Sequence, residues 1–207
     1  MTNHLHKGDL PAGLDLGPVV AIDTETMGLN PLRDRLCLVQ MSSGDGNCHL
    51  VQIPLLKPGQ IHAAPNLKAM LEDPEVLKLF HFARFDLATL KLHLGVDCAP
   101  VYCTKIASKL TRTFTDRHGL KDLCKELLNV ELSKQQQSSD WGAQDLNEEQ
   151  LKYAASDVLH LHRLKQKFDE LLAREGRTEI ASACFQFLPT RAVLDFMGWE
   201  DPDIFSH

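Results

Sequence analysis

The sequence predicts an α/β fold in which helices flank one mixed β-sheet. Three short apolar segments come first and are joined by brief turns, a pattern typical of an antiparallel meander. Further along, apolar strands alternate with longer helical segments, a pattern typical of parallel pairing. With 207 residues, 43% of them hydrophobic, the chain is long enough for one well-filled core. We therefore expect one domain over residues 1–207, with a core at 19–172 and a C-terminal helix and tail at 177–207.

Five strands are predicted from short apolar segments bounded by turn residues. They lie at residues 19–22, 35–41, 47–53, 76–80 and 99–102. The polar residues 1–17, interrupted by glycine and proline, indicate a loose arm or a short edge element. We expect the first strand to lie between the antiparallel and parallel halves of the sheet. Ligands bind at the carboxyl ends of strands where the strand order reverses in this way.

Six helices are predicted from longer segments with terminal signals. Pro74 and Gly95 end the first two, and Asn147 with Gln150 forms a capping box at the start of the fifth. The predicted helices lie at residues 66–72, 84–94, 104–111, 119–128, 147–176 and 177–197.

The amino-acid composition argues against several classes of function. The net charge of −6 argues against a protein that coats long nucleic acid by bulk positive charge. The six cysteines never form C-x-x-C pairs, which argues against zinc knuckles and thioredoxin-like redox sites. We find neither a secretory signal nor an apolar run of transmembrane length, so we expect a cytoplasmic protein without a membrane partner.

Four acids and one tyrosine follow predicted elements in a pattern that suggests metal chemistry. Asp23 and Glu25 stand at alternate positions leaving the first strand, so they share a face. Asp86 lies in the first turn of a helix that follows another strand. Tyr153 and Asp157 are one helical turn apart. Clustered carboxylates repel one another unless a cation lies between them, and Mg²⁺ or Mn²⁺ prefers such oxygen ligands.

Each of these residues alone has an ordinary structural explanation. A D-x-E pair is common in solvated turns, an acid in a first turn complements the helix dipole, and Asp157 could be a surface acid. The complete set is more specific than its members. A nucleic-acid-binding module whose acids merely cap helices is the non-enzyme alternative.

The set resembles the DEDDy branch of the 3′–5′ exonucleases, in the ribonuclease D-like group. Asp23 and Glu25 match its first motif, Asp86 its second, and Tyr153 with Asp157 its third. Further similarity between motifs two and three lies in Gly119-Leu120-Lys121-Asp122-Leu123, Leu132-Ser133-Lys134 and Ser139-Asp140-Trp141. The resemblance spans about residues 19–172 and implies an RNase H-like fold.

The resemblance also implies two divalent cations, Mg²⁺ or Mn²⁺, in the catalytic site. Asp23, Glu25 and Asp157 would hold the first ion, while Asp23 would bridge to the second and Asp86 would support it through water. Tyr153 would orient the attacking water, and the product would be a nucleoside 5′-monophosphate.

Within that group the chain looks most like the stand-alone nano-RNase C proteins. The Thr24-to-Leu29 run and the tail 198–205 carry this likeness. It implies hydrolysis of very short single-stranded oligoribonucleotides, down to dinucleotides, by a ring-shaped homo-oligomer. The apolar tail residues Trp199, Ile204 and Phe205 independently indicate an interface. The alternatives are trimming of structured RNA 3′ ends, as in ribonuclease D, or an exonuclease that also accepts DNA.

Candidate substrate contacts lie on both sides of the acids. Related exonucleases place an apolar wedge between the last two bases at the position of Leu29, although a leucine filling a sheet edge is as good an explanation. Lys134, Ser138 and Trp141, in the polar loop before the catalytic helix, could hold the 5′ end of the substrate and stack on a base. A basic cluster at residues 105–125 could attract phosphates or form a solvated helix face.

Overall fold

The computed structural model describes residues 2–57, 60–133 and 135–206. In this part of the chain, six strands form one mixed sheet in the order β1-β4-β3-β2-β5-β6. The strands are β1 (Asn3–Lys7), β2 (Val19–Thr26), β3 (Leu36–Ser42), β4 (Cys48–Gln52), β5 (Leu77–Phe80) and β6 (Val101–Cys103). The sheet has one strand more than predicted.

The additional strand is β1, which the sequence left open as an arm or an edge element. It pairs in parallel with β4, with His4 opposite His49 and Leu5 opposite Leu50. Apart from Leu5 its residues are polar, and all are at least partly exposed, as an edge strand tolerates, so no apolar segment marks this strand in the sequence.

Strand β2 occupies the predicted position between the two halves of the sheet. It pairs antiparallel with β3 and parallel with β5, and β6 extends the parallel half. Val20, Ala21 and Ile22 of β2 are fully buried, as is nearly all of β3. The carboxyl end of β2 therefore projects from the middle of the core.

Seven helices cover the sheet in the described residues. They are α1 (Pro65–Glu72), α2 (Ala83–Leu94), α3 (Thr104–Thr111), α4 (Leu120–Leu128), α5 (Glu148–Val158), α6 (Leu161–Arg174) and α7 (Thr178–Leu194). A π-helical turn at Asp195–Trp199 follows α7, which contains Pro189. No helix in the described ranges is long and apolar enough to cross a membrane.

The prediction of a single helix over residues 147–176 is wrong, because the helix is interrupted at Leu159 and His160. His160 has a φ of −107° and begins α6. The two pieces pack on different partners: α5 lies on the meander strands, whereas α6 packs on α3, α4, α7 and β5. The chain must change direction where its packing partners change. The apolar periodicity of the sequence continues through this point, so the local pattern does not indicate the turn.

Candidate active site

Three carboxylates meet at the end of β2. Asp23 and Glu25 project from alternate positions of the strand, and Asp157 approaches from the last turns of α5. One carboxylate oxygen of each lies within 4.8 Å of the others. Oxygen ligands at this spacing fit a hard divalent cation such as Mg²⁺ or Mn²⁺.

Asp86 lies beside these three acids in the first turn of α2. Its Oδ1 accepts a 2.7 Å hydrogen bond from Thr24 Oγ1, and its side chain is buried. Thr24 stands between Asp23 and Glu25 on β2, so its hydroxyl ties the second motif directly to the first. We refer to Asp23, Glu25, Asp86 and Asp157 together as the site acids.

The site acids bind protons unusually tightly without a cation. Burial, followed by repulsion from the other site acids, raises the pKa of Asp23 well above its usual range and that of Glu25 to about 9. Burial raises the pKa of both Asp86 and Asp157 to about 7, against hydrogen bonds from Thr24 and Tyr153 that lower it. The arrangement is costly when fully charged and becomes favourable when cations neutralise it.

Tyr153 lies one turn before Asp157, and its hydroxyl is near enough to that carboxylate to lower the pKa of Asp157. Burial and the neighbouring acids raise the pKa of Tyr153, so the hydroxyl keeps its proton at neutral pH. Trp141 packs against the tyrosine with ring centroids 6.0 Å apart. The tyrosine ring is therefore held in a fixed position over the acids.

Gln150 fastens the loop that carries Trp141 to helix α5. It completes the predicted capping box with Asn147, whose Oδ1 accepts a bond from the Gln150 backbone. The Gln150 side chain also donates to Ser139 Oγ at 2.8 Å and to the Asp140 carbonyl at 3.1 Å. One buried amide thus links the helix that carries Tyr153 and Asp157 to a wall of the cleft.

Asp23, Glu25 and Asp157 line a cleft of about 620 Å³ that is large enough for a small nucleotide. Leu29 lines it and is 88% exposed, so an apolar side chain projects freely beside the acids. Other residues of the wall are Met27, His81, Phe82, Phe85, Lys105, Lys121, Gln137 and Ser138.

The structure brings most of the predicted substrate residues to this cleft. Ser138 is exposed on its wall, and Leu29 also lines the cleft. Trp141 is only 2% exposed, so its observed contact is with Tyr153, and base stacking on it stays a prediction. Lys134 lies outside the described residues.

The basic cluster divides into residues with different surroundings. Lys105 and Lys121 line the cleft, where they offer positive charge to a phosphate. Arg112 is buried, bonds the Arg117 carbonyl at 2.7 Å and pairs with Glu126. The cluster is therefore partly a cleft wall and partly a structural anchor.

Sequence reasoning missed three contributors to the site. Thr24 is visible only as the residue between two acids, and Gln150 only as a capping glutamine. Phe82 adopts a left-handed conformation with a φ of 72°, and Lys105 Nζ lies 4.0 Å from the centre of its ring. Nothing in the pattern around residue 82 indicates that backbone conformation.

Several known proteins are similar to this chain in sequence and in fold. A family of 3′–5′ exonuclease domains matches residues 9–173. Ribonuclease D of Gluconacetobacter diazotrophicus is 39% identical over 162 residues, which make up 78% of this chain and 40% of that protein. The chain thus spans about two fifths of the length of this ribonuclease D relative. Ribonuclease D of Escherichia coli, an exoribonuclease involved in structured RNA processing, superimposes with a TM-score of 0.72 at 27% identity, over 84% of this chain and 45% of that one.

Similarity to a second group covers the whole chain. Brucella melitensis NrnC with bound Mg²⁺ is 57% identical, with a TM-score of 0.93 over 100% of both chains. The same protein bound to pGG is 58% identical, with a TM-score of 0.94 over 100% of this chain and 99% of that one. The chain belongs to the 3′–5′ exonuclease family, as a ribonuclease D-like member closely similar to NrnC, or nano-RNase C.

Proposed function

We propose that this protein is a two-metal-ion 3′–5′ exoribonuclease that hydrolyses short single-stranded oligoribonucleotides, including dinucleotides, to nucleoside 5′-monophosphates. The observation that carries the proposal is the meeting of Asp23, Glu25 and Asp157 in the cleft. Two solved structures of one relative support the details, since Brucella melitensis NrnC is seen with bound Mg²⁺ and with the dinucleotide pGG.

The site acids would hold the cations. Asp23, Glu25 and Asp157 would form the primary set, and Asp86, which is bonded to Thr24 between Asp23 and Glu25, would take part through water. When bound, such ions activate a water molecule and stabilise the charge on the leaving oxygen. The water oxygen loses a proton to solvent and bonds to the last phosphorus, and the bond from that phosphorus to the 3′ oxygen breaks. The 3′ oxygen takes up a proton from solvent, and the terminal nucleotide leaves with a 5′-phosphate.

Tyr153 orients the water in this proposal. Its hydroxyl is protonated, and its ring packs against Trp141, so the hydroxyl oxygen stands at a defined position where it can hydrogen-bond the water. It has no need to act as a strong base, because the cations lower the pKa of the water.

The cleft walls would bind the substrate. The exposed Leu29 suits contact with the apolar faces of bases, while Lys105, Lys121 and Ser138 offer charge and hydrogen bonds to phosphates. Lys134 and Trp141 belong to the same proposed contact set, by resemblance.

We also propose that the protein is cytoplasmic and forms a homo-oligomer, as a ring. Trp199, Ile204 and Phe205 are 43%, 46% and 66% exposed at the end of the described chain. Exposed apolar groups gathered in one segment are typical of an interface.

The test of the function is a length series. Initial kcat/KM is measured with Mg²⁺ on 5′-labelled RNAs of two, seven and twenty nucleotides and on a DNA dinucleotide, with Asp157→Asn as the control for contaminating nucleases. We expect the dinucleotide RNA to react fastest, because an enclosed cleft favours substrates that fit it. Equal or faster trimming of the longest RNA would instead favour a ribonuclease D-like activity, and equal rates on DNA would remove the RNA selectivity.

A further inference from the structure

Three histidines lie together at the edge of the sheet, away from the site acids. His4 and His6 stand at alternate positions of β1, so they share one face. His49 of β4 is the register partner of His4 and lies on the same face. We call these residues the histidine cluster.

The rings of the histidine cluster are already ordered against one another. His6 Nε2 and His49 Nδ1 are 3.0 Å apart, and their rings are within 7° of parallel. The His4 ring stacks on His49 with centroids 4.8 Å apart and an interplanar angle of 19°. The contact between two ring nitrogens requires that one ring donates and the other accepts, so at least the accepting ring is neutral.

Neutral rings are favoured by the surroundings. Partial burial, followed by repulsion from the other histidines, lowers the pKa of both His6 and His49, although Asp45 opposes this at His49. Unprotonated imidazole nitrogen is the form that binds metal ions.

The histidine cluster is separate from the catalytic cleft. Asp23 is opposite Gln40, Gln40 is opposite Leu50, and Leu50 is opposite Leu5. Directly opposed residues share a face, so His4 and His6, the neighbours of Leu5, lie on the other face from Asp23. Three strand spacings also separate β1 from β2, or about 14 Å.

We propose that His4, His6 and His49 form a binding site for a late first-row divalent cation such as Zn²⁺, independent of the Mg²⁺ site in the cleft. Two nitrogens bound to one tetrahedral Zn²⁺ ion are about 3.3 Å apart, close to the separation of His6 Nε2 and His49 Nδ1. A small tilt of the two rings admits the ion. Imidazole ligands select zinc, copper or nickel over magnesium.

Binding needs no net loss of protons from the pair. Each neutral ring carries one proton. In the accepting ring it is already on the nitrogen that faces away from the contact, and in the donating ring it moves to that nitrogen, so that His6 Nδ1 and His49 Nε2 carry the two protons in the bound state. The exposed His4 ring rotates about its side-chain bonds to supply a third nitrogen, and water completes the coordination.

The bound ion would join two strands that are distant in sequence. β1 is an edge strand held on one side by β4, so an ion shared by His6 and His49 adds a bridge that exists only in the folded chain. A ligand that binds only the folded state raises the melting temperature.

The experiment is Zn²⁺ titration of the full chain by calorimetry, in an Asp23→Asn/Asp157→Asn background that removes the cleft site. We expect one ion per chain, with affinity at least about tenfold weaker after His6→Ala/His49→Ala. His118→Ala is the matched control, since it removes an imidazole bonded to Ser108 outside the cluster, and it should leave the affinity unchanged. Magnesium-dependent hydrolysis by the otherwise native His6→Ala/His49→Ala chain should also be unchanged.

Two further measurements keep the test decisive. His4→Ala alters only an exposed ring, so it reports on the site even where the double variant fails to fold, and it should weaken Zn²⁺ binding several-fold. The melting temperature should rise with Zn²⁺ in the Asp23→Asn/Asp157→Asn background and not without His6 and His49. The proposal is overturned if that background binds no Zn²⁺, or if removing the cluster histidines leaves the affinity unchanged.

Discussion

Two groups of buried or partly buried carboxylates in this protein differ in how their negative charge is balanced. The site acids gather at the end of β2, and none of them forms an ion pair with lysine or arginine in the described part of the chain. Near the C-terminus, Asp195 is held by Arg84 and by Arg191 at 2.9 Å, and Arg191 also pairs with Asp203 at 2.9 Å. We call this second group the tail ion pairs.

The difference shows what each group is for. The tail ion pairs are complete within the chain and attach α7 and the tail to α2 through Arg84. The site acids are incomplete, since their charge is balanced only when cations bind. The two groups are also close along the chain, because Arg84 is two residues from Asp86. The role of each group of carboxylates therefore depends on whether the chain itself supplies a positively charged partner. It does not depend on how close the two groups are along the sequence.

Asp23→Asn gives the largest expected effect. It removes a carboxylate that faces all the other site acids, so we expect hydrolysis to fall by at least about a thousandfold. The melting temperature in EDTA should stay level or rise, because one source of repulsion is gone. Hydrolysis within tenfold of the unaltered protein, measured on a dinucleotide RNA, would contradict the metal assignment.

Asp195→Asn should act on stability instead. It leaves Arg84 and Arg191 without their shared partner, and we expect a loss of about 2–3 kcal/mol in the free energy of unfolding. Denaturant unfolding measures this, with Asp203→Asn as the control. Because the Asp203 side chain is 38% exposed, its replacement should cost less than about 1 kcal/mol. If folded Asp195→Asn protein lost hydrolysis as completely as Asp23→Asn, the two groups could not be separate.

The dependence of stability on pH should further distinguish the site acids from the tail ion pairs. The pKa of Glu25 is raised to about 9 and those of Asp86 and Asp157 to about 7, so the folded protein holds more protons than the unfolded chain above about pH 4. The contribution of these acids to stability without metal is then greatest below about pH 4 and falls as pH rises to about 9, by at most about 1.4 kcal/mol per pH unit for each proton.

Melting curves in EDTA at several pH values measure this slope. Asp157→Asn should reduce the slope, and Asp195→Asn should leave it. Saturating Mg²⁺ should flatten it, because the cation competes with the protons for the same oxygens. A metal-free protein that gains stability between pH 6 and pH 9 would show that the site acids are not the dominant titrating groups.

The sequence was sufficient to predict the parts of the fold that repeat a local pattern. Alternation along β2 places Asp23 and Glu25 on one face, and helical spacing places Tyr153 above Asp157. The position of β2 between the two halves of the sheet followed from the change in rhythm along the chain, and the structure confirms it.

The parts of the fold and of the site that the sequence pattern does not predict depend on contacts between residues that are far apart in the sequence. β1 lacks an apolar pattern, and it becomes a strand because β4 offers an unpaired edge. The break at His160 follows from two different packing surfaces, and the burial of Trp141 follows from Tyr153 and the bonds of Gln150 to its loop. None of these partners is close enough in sequence to leave a local signal.

The assembly of the cleft from both ends of the chain has a consequence during protein synthesis. Asp23 and Glu25 emerge from the ribosome early, but Asp157 belongs to α5 and follows only after most of the sheet has been made. Since synthesis proceeds from the N-terminus, a nascent chain that has already formed β2 to β6 still lacks one wall of its metal cage. A growing chain that has not yet released α5 from the ribosome thus lacks one of the three clustered carboxylates, and its candidate metal site is completed only late in the synthesis of the domain.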